Sequence, residues 1–368
     1  MTTFPGKAGL IQRVLPSYRV PFFDALGSAC QDGLGVFAGE PRAQEMIHTA
    51  ASLDQAHLTR GTNLHLFSNR AYLCVQVGLL SWLKDWNPDV LIVEANPRYL
   101  RTPAAVRWMR RRGRPVIGWG LGAPPLSGPL APLRRQQRAR FIQQFDALIT
   151  YSQTGAGEYA QLGFPQDRIY TAVNAVTPPP AHPLPQRPPL SNGERAQVLF
   201  VGRLQARKQI DNLLIACADL PEGLQPDLVI VGDGPDRARL ESLAAEVYPQ
   251  AAFTGALFDD ALEEQFRAAD LFVLPGTGGL AVQQAMSYGL PIIAAQADGT
   301  QADLVRPDNG WHIPPGDKDA LRAALLTAQS DIPRLRTMGA ESYRIVAQEV
   351  NLEQMVAVFV EALNRSLA

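Results

Sequence analysis

Short runs of consecutive apolar residues recur along the whole chain at the length of a β-strand. Most are rich in β-branched or aromatic side chains, which is typical of parallel strands covered on both faces. In chain order the runs are GLIQRVL, LGVFAG, NLHLF, DVLIVEA, PVIGWG, ALITYS, IYTAV, QVLFVG, DLVIVG, AAFTG, DLFVLPG and PIIAA. The pattern therefore predicts buried strands of parallel sheets.

Segments with the hydrophobic spacing of amphipathic helices lie between these runs. They are residues 99–112, 134–144, 236–246 and 281–288, and the last segment, 351–366, has the same character. Alternation of strands with helices in both halves predicts an α/β fold with two doubly wound, Rossmann-like domains that face a central cleft. In such sheets, ligands bind beyond the carboxyl ends of the strands, so the residues that follow each run are the candidates for chemistry.

The clearest boundary in the chain is TPPPAHPLPQRPPLSNGER, residues 177–195. Its seven prolines remove amide donors and fix φ, so neither a helix nor a central strand can form there. We therefore predict an N-terminal domain of residues 1–176, a semi-extended linker of 177–195 and a C-terminal domain of 196–350, followed by a helix in 351–368.

The charge of the chain is distributed unevenly between its two halves. The net charge of −1 combines a balance of +9 in residues 1–190 with −10 in residues 191–368. With 46% hydrophobic and 19% charged residues, the composition excludes a disordered chain. The near-neutral total therefore hides a basic half and an acidic half, which can have different partners.

Cysteine usage and the apolar stretches indicate a cellular location. Cys30, Cys74 and Cys217 have no CxxC spacing, which argues against a disulfide framework or a zinc site and fits a reducing compartment. The first residues lack the pattern of a signal peptide. The most apolar stretch, 71–83, is shorter than the about 20 residues that span a bilayer. We expect a soluble, cytoplasmic protein.

Two basic residues follow the strand predicted at the start of the C-terminal domain. In VLFVGRLQARK the strand ends at Gly202, and Arg203 and Lys208 come after it. Two cations past a strand end suit a diphosphate, because both can reach one cluster of anionic oxygens. A solvated basic turn is the alternative.

Two glycine-containing turns follow later strands of the same domain. Gly232, Asp233 and Gly234 lie in VGDGP before a helix, a turn that is as often purely structural. The sequence LPGTGGLAVQQAM places Gly276, Thr277, Gly278 and Gly279 before a helix that begins near Leu280. Free amides and the dipole at such a helix start attract phosphate, and a flexible connection is the alternative.

The order and spacing of these motifs resemble a known family. VGRLxxxK, then VGDGPxxxxLE, then a glycine-rich loop leading to AMxxGLP, are similar to the C-terminal half of the GT-B glycosyltransferases of family 4. The resemblance continues through NGWHIPPGD at 309–317. Weaker similarity lies in LPSYRVPFFDAL, ALITYSQTGAGEYAQLGFPQDRIY and VNAV of the first half.

The resemblance implies a fold, a reaction and a set of donor-binding residues. It implies a GT-B fold whose last helix packs back on the N-terminal domain. The reaction would be retaining transfer of a sugar from a UDP- or GDP-sugar to a hydroxyl acceptor, without a metal or a cofactor. Arg203 and Lys208 would neutralise the diphosphate and so act in catalysis. The other implied donor-binding residues are Gly202, Gly232, Asp233, Gly234, Phe253, Thr254, Gly255, Gly276, Thr277, Gly278, Gly279, Leu280 and Gln284.

The sequence departs from the family at positions that contact the donor sugar. Many relatives carry a Glu-x7-Glu pair, and here the two positions hold Gly276 and Gln284. An amide can still bond ribose hydroxyls but lacks the charge that strengthens such bonds, and glycine has no side chain. Many relatives also place a histidine after the strand corresponding to PVIGWG, where this chain has Leu121.

Acceptor-binding candidates follow strands of the N-terminal domain. Glu94, Asn96 and Arg98 come after one strand, and Glu94 is a candidate base for the acceptor hydroxyl. The alternative is that Glu94 simply pairs with Arg98 at the start of a helix. The remaining acceptor candidates are Tyr18, Arg19 and Trp119.

Two groups of arginines account for much of the basic half. Arg107, Arg110, Arg111, Arg112 and Arg114 form one group, and Arg134, Arg135, Arg138 and Arg140 the other. Such faces attract an anionic membrane surface, here the inner face of the membrane, or a lipid-linked acceptor, and a solvated face is the alternative. Nucleic acid is not expected, because no aromatic-interleaved motif accompanies the charge.

The sequence therefore predicts a retaining, metal-independent glycosyltransferase of glycan, glycolipid or glycoconjugate biosynthesis. Two alternatives remain open. One is a non-catalytic or weakly active subunit that binds sugar nucleotides, and the other is a different GT-B enzyme such as a nucleotide-sugar epimerase.

Overall fold

A computed structural model describes residues 2–45, 47–67, 72–191, 194–278, 280–297 and 299–367. The chain forms two compact units. Unit 1 consists of Met1–Val176 and Leu352–Ala368, and unit 2 of Thr177–Asn351. Each unit is built around a parallel sheet with helices, which confirms the predicted α/β fold class.

Unit 1 contains a seven-stranded sheet in the order β3-β2-β1-β6-β7-β8-β9, in which every neighbouring pair is parallel. The hairpin β4-β5 forms a separate antiparallel pair. The strands of unit 1 are β1 Ala8–Val14, β2 Leu34–Gly39, β3 His57–Arg60, β4 Thr62–Leu66, β5 Leu73–Val77, β6 Val90–Glu94, β7 Val116–Gly120, β8 Ala147–Thr150 and β9 Ile169–Thr171.

Two hydrophobic clusters cover the faces of the unit 1 sheet. Leu10 and Ile92 belong to one cluster, and Ile11 and Leu91 to the other, as the alternation of side chains along a strand requires. The last helix of the chain contributes to the first cluster, where Phe359 packs against Phe22 and Trp119. The helices of unit 1 are α1 Val20–Ala29, α2 Leu79–Trp86, α3 Thr102–Arg110, α4 Ala131–Ile142, α5 Gln153–Gln161 and, from the chain end, α13 Leu352–Leu367.

Unit 2 contains a six-stranded parallel sheet in the order β12-β11-β10-β13-β14-β15. Its strands are β10 Gln197–Val201, β11 Asp227–Val231, β12 Ala252–Gly255, β13 Leu271–Leu274, β14 Ile292–Ala295 and β15 Gly310–Ile313. Its helices are α6 Ile210–Ala218, α7 Arg237–Val247, α8 Asp259–Ala268, α9 Leu280–Ser287, α10 Thr300–Leu304, α11 Lys318–Gln329 and α12 Ile332–Gln348.

The proline-rich segment is attached to unit 2 through Arg187. The guanidinium of Arg187 donates to the carbonyl oxygens of Phe266 and Ala269 at the end of α8, and to those of Tyr288 and Gly289 after α9. Cations at helix C-termini satisfy free carbonyls and interact favourably with the helix dipole. This residue therefore fixes the segment against two helix ends.

The apolar run NLHLF was wrongly expected to be a buried strand of a parallel sheet. It forms β4 of the antiparallel hairpin, and Leu64 and Leu66 are exposed there. The strands β3, β5 and β15 were missed. β3 and β15 lack a continuous apolar run, whereas β5 lies in the apolar stretch 71–83, in which no strand was predicted.

Candidate active site

The strand order of unit 2 reverses between β10 and β13, which pair in the middle of its sheet. Such a reversal leaves a crevice beyond the carboxyl ends of the two strands, because the connections that follow them run in opposite directions. The predicted segments 202–208 and 276–280 leave the sheet at these two strand ends. The topology therefore brings the first and third motifs together.

Lys208 is the buried cation of this crevice. It is the last residue of the short 3-10 helix Ala206–Lys208, and only 9% of the residue is exposed. No acidic side chain of the described residues lies within 4.0 Å of its ammonium group. Burial, together with the like charge of Arg207, lowers the pKa of Lys208 from 10.5 to about 8. The ammonium is thus desolvated without a counter-ion, which favours an anionic ligand.

The glycine-rich loop lies directly against the Lys208 segment. A Cβ at Gly276 would overlap the carbonyl oxygen of Arg207 and the backbone of Lys208, and one at Gly278 would overlap the Lys208 ammonium. Thr277 closes the contact, because its N–H donates to the Arg207 carbonyl oxygen at 3.1 Å and its hydroxyl oxygen accepts from the Arg207 guanidinium at 3.2 Å. A side chain at Gly276 is excluded by close backbone approach, whereas at Gly278 a Cβ meets the Lys208 side chain and the φ of 121° favours glycine.

The second motif closes the other side of the same region. A Cβ at Gly232 would overlap the carbonyl oxygen of Gly202, and one at Gly234 that of Leu204. The Leu204 N–H donates to the Asp233 carbonyl oxygen at 2.9 Å, and the Gly232 N–H to the Gly255 carbonyl oxygen at 2.8 Å. The loops after β10, β11 and β12 are therefore held together by backbone contacts.

The remaining donor candidates occupy more open positions. Arg203 and Asp233 are exposed, and Asp233 forms an ion pair with Arg237 at 3.5 Å. Phe253 and Thr254 lie on β12, and Gln284 is half-buried on α9. The backbone of Leu280 begins α9, directly after the loop. Gly279 and the Leu280 side chain lie outside the described part of the chain.

Sequence reasoning missed Gln301, a polar residue beside the loop. Gln301 is 3% exposed, its side-chain amide donates to the Gly278 carbonyl oxygen at 2.9 Å, and its Oε1 has no hydrogen-bond partner in the described structure. Buried polar atoms usually find a partner, so this oxygen is a further candidate for ligand contact. It comes from α10, which no motif marked.

In unit 1 the strand order reverses between β1 and β6, and Glu94 ends β6 at that point. Its carboxylate accepts a hydrogen bond from the Arg13 N–H, and burial raises the pKa of Glu94 from 4.5 to about 7. The structure shows no ion pair between Glu94 and Arg98, so the alternative of such a pair is wrong. Glu94 can therefore be neutral or charged near neutral pH.

A group of polar side chains, partly or fully buried, lies around Glu94. The Arg13 guanidinium binds the Glu45 carboxylate at 2.8 Å, and the Arg42 N–H donates to the same carboxylate at 2.9 Å. Burial opposes ionisation of Glu45, but these bonds and the Arg13 charge hold its pKa at about 2. Burial raises the pKa of the Tyr99 hydroxyl. Arg13, Glu45 and Tyr99 were not predicted, because they come from a strand interior, a connecting loop and the start of a turn.

Arg19 lies in an aromatic cluster at the carboxyl end of the strands of unit 1, which is called the unit 1 edge below. It is 8% exposed, and its guanidinium lies 5.6, 5.8 and 5.4 Å from the ring centres of Tyr18, Trp119 and Tyr151. It donates to Asn174 Oδ1 at 2.7 Å, and it forms no ion pair with any described acidic residue. The Trp119 indole N–H is buried without a partner in the described structure.

Three of the six acceptor candidates, Tyr18, Arg19 and Trp119, thus form one cluster, which also contains the unpredicted Tyr151 and Asn174. Glu94 adjoins it, because its strand position pairs with Trp119. Asn96 accepts from the Arg98 N–H at 3.1 Å within the turn after β6, and the Arg98 side chain is exposed. Tyr151 directly follows β8, so the position after a strand end was its available signal.

Metal-ligand clusters and membrane-spanning helices are both absent from the described residues. No group of three or more His, Cys, Asp or Glu side chains there could hold a metal ion. No helix in that part of the chain combines the length and hydropathy needed to cross a bilayer.

Family models match both units of the chain. The model for glycosyl transferases group 1 matches residues 185–344, and the model for the glycosyl transferase 4-like domain matches residues 36–175. The chain belongs to the GT-B glycosyltransferases of family 4. The resemblance noted from its motifs is therefore confirmed.

Two similar glycosyltransferases come from mycobacteria. A GDP-mannose-dependent alpha-mannosyltransferase of Mycolicibacterium smegmatis is 44% identical over 116 residues, 31% of this chain and 28% of that protein. A GDP-mannose-dependent alpha-(1-6)-phosphatidylinositol monomannoside mannosyltransferase of Mycobacterium tuberculosis is 27% identical over 239 residues, 61% of this chain and 59% of that protein. The chain spans less than two thirds of the length of either relative.

A solved structure matches nearly the whole chain. Anabaena HepE in complex with UDP superposes with a TM-score of 0.68 at 17% sequence identity, covering 99% of this chain and 100% of that one. At this identity the match shows the GT-B fold.

Proposed function

We propose that the protein is a retaining glycosyltransferase that moves a sugar from a UDP- or GDP-sugar to a hydroxyl acceptor without a metal ion. The observation that carries the proposal is Lys208, a buried ammonium without a counter-ion that lies against the glycine-rich loop. A buried charge is costly unless it is paired, so this position favours a bound anion. The diphosphate of a nucleotide sugar supplies one.

The carboxyl ends of β10 and β13 form the unit 2 edge, and the proposed chemistry there is stabilisation of the leaving diphosphate. When the bond from the anomeric carbon to the phosphate oxygen breaks, negative charge grows on that oxygen. Lys208 and Arg203 neutralise this charge, and the amides at the start of α9 bind the distal phosphate. These groups supply the stabilisation that a bound metal supplies in other transferases, so the proposed reaction needs none.

We assign acceptor binding to the unit 1 edge. Glu94 accepts a hydrogen bond or the proton of the acceptor hydroxyl, for which a carboxylate with a pKa near 7 is suited. Arg19 and Trp119 offer a buried cation and an unpartnered N–H beside it. The mycobacterial relative named for a phosphatidylinositol monomannoside acceptor supports a lipid-linked acceptor, and the arginines of α3 and α4 suit an anionic membrane surface.

The test is a calorimetric screen of UDP, GDP and ADP, followed by transfer and hydrolysis assays with sugars of the nucleotide that binds. We expect UDP or GDP to bind and the corresponding sugar to turn over without added metal. Failure of all three nucleotides to bind would contradict the proposal. Binding without turnover would instead favour a sugar-nucleotide-binding subunit, a candidate that the lack of space for a side chain at Gly276 supports.

A further inference from the structure

Unit 1 contains a groove that the proposed transfer chemistry does not use. Its volume is about 960 Å³, and it lies between segment 123–126, α4 and α5. This volume is in the range of about 300–1,000 Å³ that small-molecule sites occupy. Its apolar walls are formed by Ala123, Pro124, Pro125, Leu126, Leu133 and Leu162.

Helix α4 leaves apolar side chains beside this groove in solvent. Only Phe141 and Ile142, at its C-terminal end, are buried. Leu133 in its first turn is 52% exposed and lines the groove, and Leu130 just before the helix is 55% exposed. A helix with so little buried surface gains little from packing, so the exposed apolar residues favour a ligand that covers them.

The charge around the groove is mainly positive. Arg135 and Arg138 line the groove and donate to neutral carbonyl oxygens, those of Gln161 at 2.9 Å and Pro124 at 2.7 Å. Neither arginine, nor Arg134 or Arg140 on the same helix, forms an ion pair with an acidic residue of the described chain. The acidic lining residue, Glu158, accepts from the Ala123 N–H at 2.7 Å.

We propose that this groove binds an anionic lipid, with the phosphate of the lipid against Arg135 and Arg138 and its apolar chain along Leu126, Leu133 and Leu162. A guanidinium binds phosphate oxygens through paired N–H donors, and apolar walls favour an alkyl chain. The inference deepens the proposed function, on which it rests, because it gives a lipid-linked acceptor a binding site separate from the reacting hydroxyl.

The test uses decyl phosphate as the probe, kept below its critical micelle concentration and titrated into the full chain by calorimetry. Decyl maltoside measures the affinity that the decyl chain contributes without a phosphate, and inorganic phosphate measures the affinity of the headgroup alone. We expect decyl phosphate to bind at least tenfold more tightly than either. The double variant Arg135→Gln/Arg138→Gln should weaken decyl phosphate binding at least tenfold.

The matched control is Arg134→Gln/Arg140→Gln, which removes the same charge from the same helix outside the groove lining. It should change the affinity by less than twofold. If both double variants weaken decyl phosphate binding equally, the proposed groove site is wrong, because the phosphate would then be attracted by the charge of α4 as a whole. Equal binding of decyl phosphate and inorganic phosphate would overturn the apolar part.

A second pair of variants tests the groove without changing charge. Leu133→Gln should weaken decyl phosphate binding several-fold, whereas Leu130→Gln, similarly exposed but outside the lining, should not. Ala139→Trp places a large ring on the groove lining and should weaken binding several-fold. Nucleotide binding, measured on the same samples, reports folding and the donor site. If the wild type does not bind nucleotide, the proposed function is contradicted. If the variants bind decyl phosphate as tightly as the wild type does, only the proposed groove is contradicted.

Discussion

The two sheets of the protein present different kinds of site at the same topological position. At the β10/β13 reversal of unit 2, glycine backbones approach so closely that side chains are excluded, and one buried cation, Lys208, faces the loop. At the β1/β6 reversal of unit 1, the site consists of side chains, with Glu94 beside aromatic rings and the buried Arg19. The same fold position is thus built from backbone in one unit and from side chains in the other.

The difference explains how each edge holds charge. In unit 2, burial disfavours the cationic form of Lys208. In unit 1, burial disfavours the anionic form of Glu94. A bound ligand can therefore shift the pKa of either group, but the ligands that stabilise the two charged forms differ. An anion stabilises charged Lys208, and a hydrogen-bond donor such as an acceptor hydroxyl stabilises charged Glu94.

The largest expected effect is the loss of donor binding when the Lys208 charge is removed. Lys208→Ala should weaken UDP or GDP binding by about 100-fold, about 2.7 kcal/mol, because the diphosphate loses its buried cation. In the wild type, affinity should fall as the pH rises through about 8, since the ammonium deprotonates there. Calorimetry from pH 6.5 to 9.5 measures both effects.

Lys208→Arg is the informative companion variant, because a guanidinium stays charged across this range and should make the affinity independent of pH. Lys318→Ala removes an exposed lysine of the same unit and should leave both quantities unchanged. Unaltered nucleotide affinity in Lys208→Ala would show that the buried ammonium does not contact the diphosphate.

The second effect tests whether the unit 2 edge is really built from backbone. Gly276→Ala should destabilise unit 2 by about 2 kcal/mol and weaken nucleotide binding, because its Cβ meets the backbone of Arg207 and Lys208 rather than a movable side chain. Gly276→Glu, which restores the residue of many relatives, should be worse still. Denaturant unfolding measures the free energy change.

Gly157→Ala is the matched control. Gly157 lies in α5 with nothing within 4 Å of an added Cβ, so the substitution should stabilise the helix by about 0.5–1 kcal/mol. If Gly276→Ala is as well tolerated as Gly157→Ala, the loop does not have the close approach described, and a side chain in place of the missing Glu becomes feasible.

The contrast between the edges also explains what the sequence could predict. Close backbone approach admits only glycine at Gly232 and Gly276, and the positive φ of Gly278 favours glycine, so the three residues leave a motif of fixed spacing that marks the unit 2 site. The unit 1 site combines Arg13, Glu45, Glu94, Tyr99 and Tyr151, which the fold brings together from distant positions. No spacing rule connects such residues, and only those directly after strand ends could be anticipated.

The fold itself was predictable where strands are buried on both faces, as in β6, β7 and β13, whose apolar runs are continuous. The hairpin β4-β5 was not, because its alternating, half-exposed pattern carries no information on its partner strand. The bounds of α3 were also missed at the start, where Tyr99 lies in a turn before Thr102 begins the helix.

The smallest expected effect concerns the charge state of Glu94. Its folded pKa of about 7 lies above the ordinary 4.5, so the stability it contributes is full below about pH 4.5 and is lost as the pH rises through about 7. Glu94→Gln keeps an acceptor for the Arg13 N–H but cannot ionise. It should therefore be more stable than the wild type above pH 8, with a smaller difference at pH 4.

Thermal unfolding from pH 4 to 9 measures this difference, and Glu353→Gln, on the exposed face of α13, should show none. Transfer assays separate a catalytic role from a structural one. If Glu94 takes the acceptor proton, wild-type turnover should rise through about pH 7, and Glu94→Gln should lower kcat while donor affinity is unchanged. A stability curve that rises through pH 7 in the wild type would contradict the desolvated carboxyl, and with it the contrast between the two edges.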